Sequence, residues 1–486
     1  MTYKKLYIIL IIIIFYCTNL AAQSDKIEMA YSLDSVYTWD KYPSYSVYTA
    51  FMEYYSGKYG DICTLDTIGY TNEGRLLLCM QIASEDSRNN NCPKFFYSSA
   101  MHGNELTGSV MLMHIIDTLV KDRDLLSSLG QVKLYVCPFA NPDGTWYGGN
   151  DNVTKAVRYN ANHVDLNRNY PVIGINGSTY GGNLQQETKA FIQYQLKNKF
   201  DMGCNIHTGS EVFNYPWDAF KSYEKEHADK TWFETIGKDF VNDLNDDTRQ
   251  YFKAVCEEGY IDGGDWYVVR GSRQDWSTYY AHCREVTLEV SKEYMPPSYK
   301  LSLYWTYLKD ALFTFFKYTS KGISGSVSDS VSGYPLDGVM ITVKNHDKDS
   351  SEVFSDGNGY FFRPLLEGVY DISFTKDGYH EQTLTFNCGD YVSFEKIELV
   401  PYKTGEDEIA ESCLKIYPLP LDNVTYVYTD KKAEYKIFDM CGSELHAGEL
   451  NAGENTVETE SLCAGTYIIM INSSDGQRTI KKVVKK

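Results

Sequence analysis

Beyond residue 22, the 486-residue sequence contains no apolar run long enough to cross a bilayer, so no later segment reads as a membrane span. It is also short of positive charge, with 46 Lys and Arg against 65 Asp and Glu for a formal net charge of −19. That balance argues against nucleic acid or an anionic membrane surface as a partner, because both are polyanions. No Cys-x-x-Cys pair or clustered Cys/His spacing occurs, which argues against a structural zinc site. What remains is a globular composition, 43% hydrophobic and 23% charged, and a length sufficient for roughly two to four domains with cores of their own.

The N-terminus carries Lys4-Lys5, the apolar run Leu6 through Tyr16, and then Asn19-Leu20-Ala21-Ala22-Gln23. A charged start, a short apolar stretch and small residues describe a secretory signal peptide spanning 1–22, cut after Ala22. A membrane anchor is the competing reading, but the run is short and a cleavage site follows it. Export makes disulfides possible. Of the twelve cysteines, Cys17 lies in the leader, leaving an odd eleven. Cys137, Cys204 and Cys283 sit in apolar strand-like contexts and read as core residues.

Hydrophobic periodicity predicts a helix over 43–59, a strand around Leu65 to Ile68, a polar turn at 70–75 and a return strand over 76–80. Strands follow at Lys94-Phe95-Phe96-Tyr97, Val132–Val136, Met202–Ile206 and Val286–Val290, with helices from Asn104 to about Lys121 and from Gln186 to Lys197. Leu301, Trp305, Leu308, Leu312 and Phe315 form the stripe of a last helix that closes the domain near Tyr318. This alternation predicts an α/β fold: a mixed twisted sheet with helices on both faces, spanning 40–318. From 322 to 401 short alternating strands separated by turns such as Asp356-Gly357-Asn358-Gly359 predict a small β-sandwich. A polar linker at 402–411 then leads to a second all-β domain at 412–486.

The chemistry concentrates in a few short stretches. His102 and Glu105 stand three apart after the Lys94 strand, in a turn with Gly103, and an imidazole and a carboxylate at that spacing can converge on one metal ion. Alone, the pair is equally an exposed helix start. A catalytic zinc takes three protein ligands, and His207, at the end of the Met202 strand, is the candidate third. The competing reading is a hydrogen-bonded structural histidine. Arg158, Asn167 and Arg168 fall within eleven positions and suit a carboxylate or oxyanion. Glu285, Thr287 and Glu289 share one face of an apolar strand, where a carboxylate is costly to bury unless it is paired or functional.

In order, His102-Gly103-Asn104-Glu105, Arg158, Asp165-Leu166-Asn167-Arg168-Asn169, His207 and Glu289 resemble the motifs of the zinc metallocarboxypeptidases. The turn Glu73-Gly74-Arg75 and the stretch Gly271-Ser272-Arg273-Gln274-Asp275-Trp276 also look like theirs. The segment 322–401 resembles the transthyretin-like domain of one branch of that family, and 412–486 resembles a type IX secretion sorting domain. The resemblance implies one Zn²⁺ held by His102, Glu105 and His207, with a zinc-bound water attacking the C-terminal peptide bond of a peptide or protein. It implies Glu289 as general base, Arg158 as oxyanion stabiliser, and Asn167 and Arg168 as holders of the substrate carboxylate. The family places a tyrosine two residues after the aromatic of its Asp-Trp motif. Here that position is Thr278, so a one-residue shift makes Tyr279 the candidate substrate-closing residue. The implied setting is export across both membranes of a Gram-negative bacterium through the type IX machinery, to the surface or the medium. A zinc amidase acting on cell-wall peptides and a non-catalytic peptide-binding protein on the same scaffold are the alternatives.

Overall fold

The computed structural model describes residues 26–485, apart from 89–90, 175–178, 180, 247, 390–392, 403–413, 441 and 476–477. The expected leader at 1–22 and nearly all of the expected linker at 402–411 lie outside the described residues. One mixed sheet organises the first part of the chain. Its strands are β1 (Cys63–Tyr70), β2 (Leu76–Ala83), β3 (Lys94–Ser99), β4 (Lys133–Cys137), β5 (Met202–His207), β6 (Ser210–Tyr215), β7 (Tyr260–Asp262) and β8 (Arg284–Ser291). They lie in the order β1-β2-β4-β3-β5-β8-β6-β7. The central strands β4, β3, β5 and β8 run parallel, and β2 and β6 are antiparallel to the strands they flank.

Helices α1 (Tyr45–Lys58), α2 (Thr107–Lys121), α3 (Gln186–Asn198), α4 (Lys230–Asn242), α5 (Arg273–Tyr280) and α6 (Leu301–Lys317) cover both faces. Strand β3 shows why its middle is an unbroken aromatic run, Phe95-Phe96-Tyr97. Phe95 and Tyr97 enter the core shared with α1, α2, α4 and α6, whereas Phe96 points into the core shared with α3 and α5. A strand covered on both sides has no polar face to display. From β3 the chain moves to β4 on one side and later returns to β5 on the other. The loops leaving β3 and β5 therefore diverge and open a crevice at their carboxyl ends.

Several details differ from the sequence reading. Helix α2 begins at Thr107 rather than Asn104, so Glu105 lies in a turn and not on the helix. The Glu105 N–H donates to His102 O at 3.0 Å, and the Leu106 N–H is drawn to Tyr294 O at 3.3 Å, away from a helical path. Strand β5 runs one residue past Ile206, making His207 its last residue. Strands β6 and β7 and helix α4 were not anticipated. In β6 the polar Glu211 and Asn214 interrupt the apolar pattern, and β7 has only three residues. None of the nine described cysteines forms a disulfide, and Cys137, Cys204 and Cys283 are buried as expected.

Next come β9 (Gly322–Asp329), β10 (Met340–Val343), β11 (Val353–Phe354), β12 (Tyr360–Pro364), β13 (Gly368–Thr375), β14 (Gln382–Cys388) and β15 (Ser393–Leu399). They form sheets β12-β9-β15 and β11-β10-β13-β14, which enclose Ile323, Val339, Ile341, Phe361, Ile372 and Phe374. The sandwich and the α/β layer make one compact unit through Val400. The second unit, from Pro401 onward, is all β: two sheets around a core that includes Ile416, Val427, Ile437, Leu450 and Ile469.

Candidate metal centre and active site

His102 follows the end of β3, and His207 ends β5. These strands are parallel neighbours, with Ser99 opposite Ile206, so the two imidazoles meet at the crevice. The turn between His102 and Glu105 needs a glycine, because a Cβ on Gly103 would lie 2.2 Å from the Gly144 carbonyl carbon. All three side chains are buried. Nδ1 of His102 is 2.9 Å from Glu105 Oε1, Nδ1 of His207 is 2.8 Å from Glu105 Oε2, and the two Nδ1 atoms are 3.1 Å apart. The donor atoms of His102, Glu105 and His207 lie within 4.8 Å of one another.

This donor set fits zinc: two imidazole nitrogens and one carboxylate, facing each other in a buried pocket. The surroundings agree. Asp165 Oδ1 lies 3.0 Å from His102 Nε2, which favours the proton there and leaves Nδ1 free to ligate. On His207, Nε2 lies 2.7 Å from the Asn205 side-chain amide. Burial would raise the Glu105 pKa, but the two histidines outweigh it and hold the carboxyl well below its ordinary value. Burial likewise disfavours a charged His102, yet Glu105 and Asp165 carry its pKa above the usual histidine range.

Glu289 is the residue of β8 in register with His207 on β5. Strand β8 is interior to the sheet, so its buried carboxylates point into the protein and not to solvent. Burial, reinforced by the Glu105 charge, pushes the Glu289 pKa up to about 8, against the opposing pull of His102 and Arg158. Its Oε2 is buried without a hydrogen-bond partner. Arg158 joins Asp165 through Nε and Nη2, both at 3.0 Å, and approaches Glu105 Oε1 at 3.3 Å.

His102, Glu105, His207, Glu289, Arg158, Asn167 and Arg168 line one cavity of about 190 Å³. Asn167 is held there through its Oδ1, which accepts the Arg273 N–H at 3.0 Å. The buried Arg273 side chain grips Glu285 at 2.8 and 3.1 Å. Glu285 therefore has a pairing role, while Glu289 two turns of the pleat away faces the cavity.

Tyr279 does not line this cavity. It lies on α5, with its ring 6.1 Å from that of Trp217. Two other phenols line it, Tyr267 and Tyr294, and sequence reasoning passed over both; Tyr267 is the one beside Glu289. Burial and the Glu289 charge push its pKa up to about 12. Asp218, Asn214 and Thr287 complete much of the wall and were also missed. No motif marks Asp218; it comes forward only because the chain after β6 turns back beneath the crevice. Gly263 makes room for it, since a Cβ there would lie 2.1 Å from Asp218 Oδ1. Asp218 Oδ1 accepts from Gln274 Nε2 at 2.9 Å and from Asn214 Nδ2 at 3.4 Å. It makes no ion pair with any described side chain. Burial pushes its pKa up to about 6, although bonds from Ser272 and Asn214 and the Arg168 charge oppose the rise.

The zinc carboxypeptidase family model matches residues 48–311, more than half of the chain. The chain belongs to the zinc carboxypeptidase family. A carboxypeptidase regulatory-like domain matches 322–395, and a secretion system C-terminal sorting domain matches 415–486. Among similar family members, carboxypeptidase M of Mus musculus is 29% identical over 361 residues, covering 69% of this chain and 78% of that protein. The carboxypeptidase N catalytic chain of Rattus norvegicus is 29% identical over 371 residues, covering 68% of this chain and 79% of that protein. Carboxypeptidase D of Rattus norvegicus is 28% identical over 353 residues, 68% of this chain, and the match spans 25% of that longer protein's length. Among the described residues no helix is long and apolar enough to cross a membrane.

Proposed function

We propose that this chain is an exported zinc metallocarboxypeptidase that removes the C-terminal residue of peptides and favours lysine or arginine there. The observation that carries the reading is a single cavity shared by the metal-binding trio, Glu289, the Asn167-Arg168 strap and an unpaired buried Asp218. His102, Glu105 and His207 would hold the ion. Zinc bound there supplies a Lewis acid that polarises the scissile carbonyl and acidifies the attacking water. Glu289 takes the proton from that water and returns it to the departing amine. Arg158, held beside the trio by Asp165, supplies positive charge where oxyanion character develops.

Asn167 and Arg168, which line the same cavity, would hold the terminal carboxylate and so restrict cleavage to the last residue. Asp218 lines the same cavity and is a buried carboxylate in no ion pair with a described side chain. A buried charge of this kind is costly, and a cationic substrate side chain would supply the missing partner. The intact strap also counts against a cell-wall amidase, and the complete set of ligands, base and arginines counts against a purely binding role. The leader at 1–22 and the sorting-domain match support export through the type IX machinery to the surface or the medium. In this reading 40–318 is the catalytic domain, 322–401 the transthyretin-like sandwich, 402–411 a linker and 412–486 the sorting domain.

The test is a peptide set varying only in its last residue, assayed with and without a zinc chelator. Stepwise release of C-terminal Lys and Arg that stops with chelator is expected. Release that survives chelation, or cleavage at internal bonds, would refute it.

A further inference from the structure

The sandwich loop between β10 and β11 is turned onto the α/β layer. Asn345, Asp349 and Ser350 adopt left-handed backbone, with φ of 59°, 55° and 68°, and so bend the loop sharply. Asp349 pairs with Lys225 Nζ at 3.1 Å, and Ser350 O lies 3.0 Å from His282 Nδ1. The Arg284 guanidinium donates to Ser351 O. Asp347 pairs with Arg363 at 2.6 Å, and Arg363 reaches across to Asp229 at 2.7 Å. Asp229 also pairs with Arg284 at 2.8 Å.

Two of these partners, Lys225 and Asp229, close the segment that begins at Asp218. The Lys225 ammonium sits 5.5 Å from the Trp217 ring centroid, 5.2 Å from Phe220 and 5.4 Å from Tyr279. Trp217, immediately before Asp218, is fully buried and packs 4.9 Å from the His227 ring. His227 Nδ1 accepts the Asp229 N–H at 2.9 Å. On its other side the segment is fastened to α5, with the Asp218 and Ala219 N–H groups donating to Asp275 at 2.8 and 2.9 Å. The Asp218 backbone is thus held directly by α5, while the sandwich reaches the same segment through Lys225 against Trp217 and through Asp229 against His227.

We infer that the sandwich loop 344–351 positions the Asp218 segment, so that the sandwich adjusts selection of the C-terminal residue at a cavity it does not line. This inference rests on the proposed role of Asp218. Lys225 and Asp349 are positioning residues. Their side chains keep 19% and 37% of their exposure, so the pair can be altered without emptying a core.

The experiment compares Lys225→Met, Asp349→Asn and Lys225→Arg with the wild type in the full chain. Kinetics are read on two peptides ending in Lys or Leu, together with amide hydrogen exchange over 216–229. For Lys225→Met and Asp349→Asn, KM on the Lys-ended peptide should rise about fivefold, the size of a partly exposed ion pair with a cation–π contact. Their kcat, and both constants on the Leu-ended peptide, should stay within about twofold, with faster exchange over 216–229. Lys225→Arg keeps the charge and the ring contact and should behave as wild type. Equal losses on both peptides, or unchanged KM with unchanged exchange, would overturn the inference. If the wild type shows no preference for the Lys-ended peptide, the Asp218 reading fails; exchange then decides the pinning alone, and unchanged exchange overturns it.

Discussion

Replacing Asp218 by Asn tests the specificity reading most directly, because it removes one charge and almost no volume. Asn keeps an acceptor for Gln274, whose Nε2 lies 2.9 Å from the Asp218 carboxylate. Truncating one partner of a buried charge pair costs about 2–5 kcal/mol, and the open cavity places this pair near the lower end, at about 2–3 kcal/mol. At 1.4 kcal/mol per decade, kcat/KM on Lys-ended peptides should fall by roughly 30- to 150-fold. The Leu-ended peptide should be cleaved as well as before, or better.

The same residue sets a pH dependence. Asp218 faces Asp275 on α5, Asp262 at the end of β7, Glu285 on β8 and the Arg168 guanidinium. With its pKa near 6, preference for a cationic end should fade in the wild type as pH falls through about 6, and Asp218→Asn should show no such change. Stability moves the other way. A carboxyl whose folded pKa is raised from 3.8 to about 6 binds its proton more tightly folded than unfolded, so stability is lost as pH rises through that window. Above it, Asp218→Asn should be more stable than wild type, by at most about 3 kcal/mol. Continuous assays on paired peptides from pH 5 to 8, with thermal unfolding alongside, read all three effects. Retained Lys preference in Asp218→Asn would refute the reasoning.

Four further outcomes are expected. His207→Ala should lose bound zinc by elemental analysis and lose activity together, whereas the wild type should bind one zinc per chain. Glu289→Gln should keep its zinc and lose about two to four decades of kcat, since it removes the proton acceptor and leaves the ligands in place. His114, stacked between Trp39 and Trp305 at 4.2 and 3.8 Å, has its pKa pushed down by burial to about 4, with Asp117 opposing and Lys121 and Lys309 adding to the fall. A histidine held neutral when folded loses stability as pH drops from about 6.5 towards 4, so His114→Phe should flatten the acid limb of an unfolding-midpoint profile in that range. Arg363→Met should destabilise the first unit by about 3–5 kcal/mol in denaturant titration, because it leaves Asp229 and Asp347 short of a buried partner.

The sequence alone determined the elements and residues whose chemistry restricts what can stand there. Strands covered on both faces carry apolar runs, so the apolar stretches of β3, β4, β5 and β8 were legible, and α6 was read from a single stripe. His102, Glu105, His207, Glu289, Arg158, Asn167 and Arg168, which share one cavity, were legible as candidates because few residue types can do the proposed tasks, and because several such stretches occur in one order. Tertiary structure alone decided what fills the space between them. Tyr279 and Tyr267 are equally plausible as letters, but the rotation of α5 turns Tyr279 onto Trp217, and the loop after β7 brings Tyr267 to the cavity. Asp218 carries no local signal; its place at the cavity depends on β6 entering the sheet beyond β8, and on Gly263 and Gln274 arriving from distant segments. The union of sandwich and α/β layer is likewise invisible in the chain, since Asp229 meets Arg363 across 134 residues. Ligand identity follows from the chemistry of single side chains, whereas pocket shape and charge balance are sums over residues that only folding brings together.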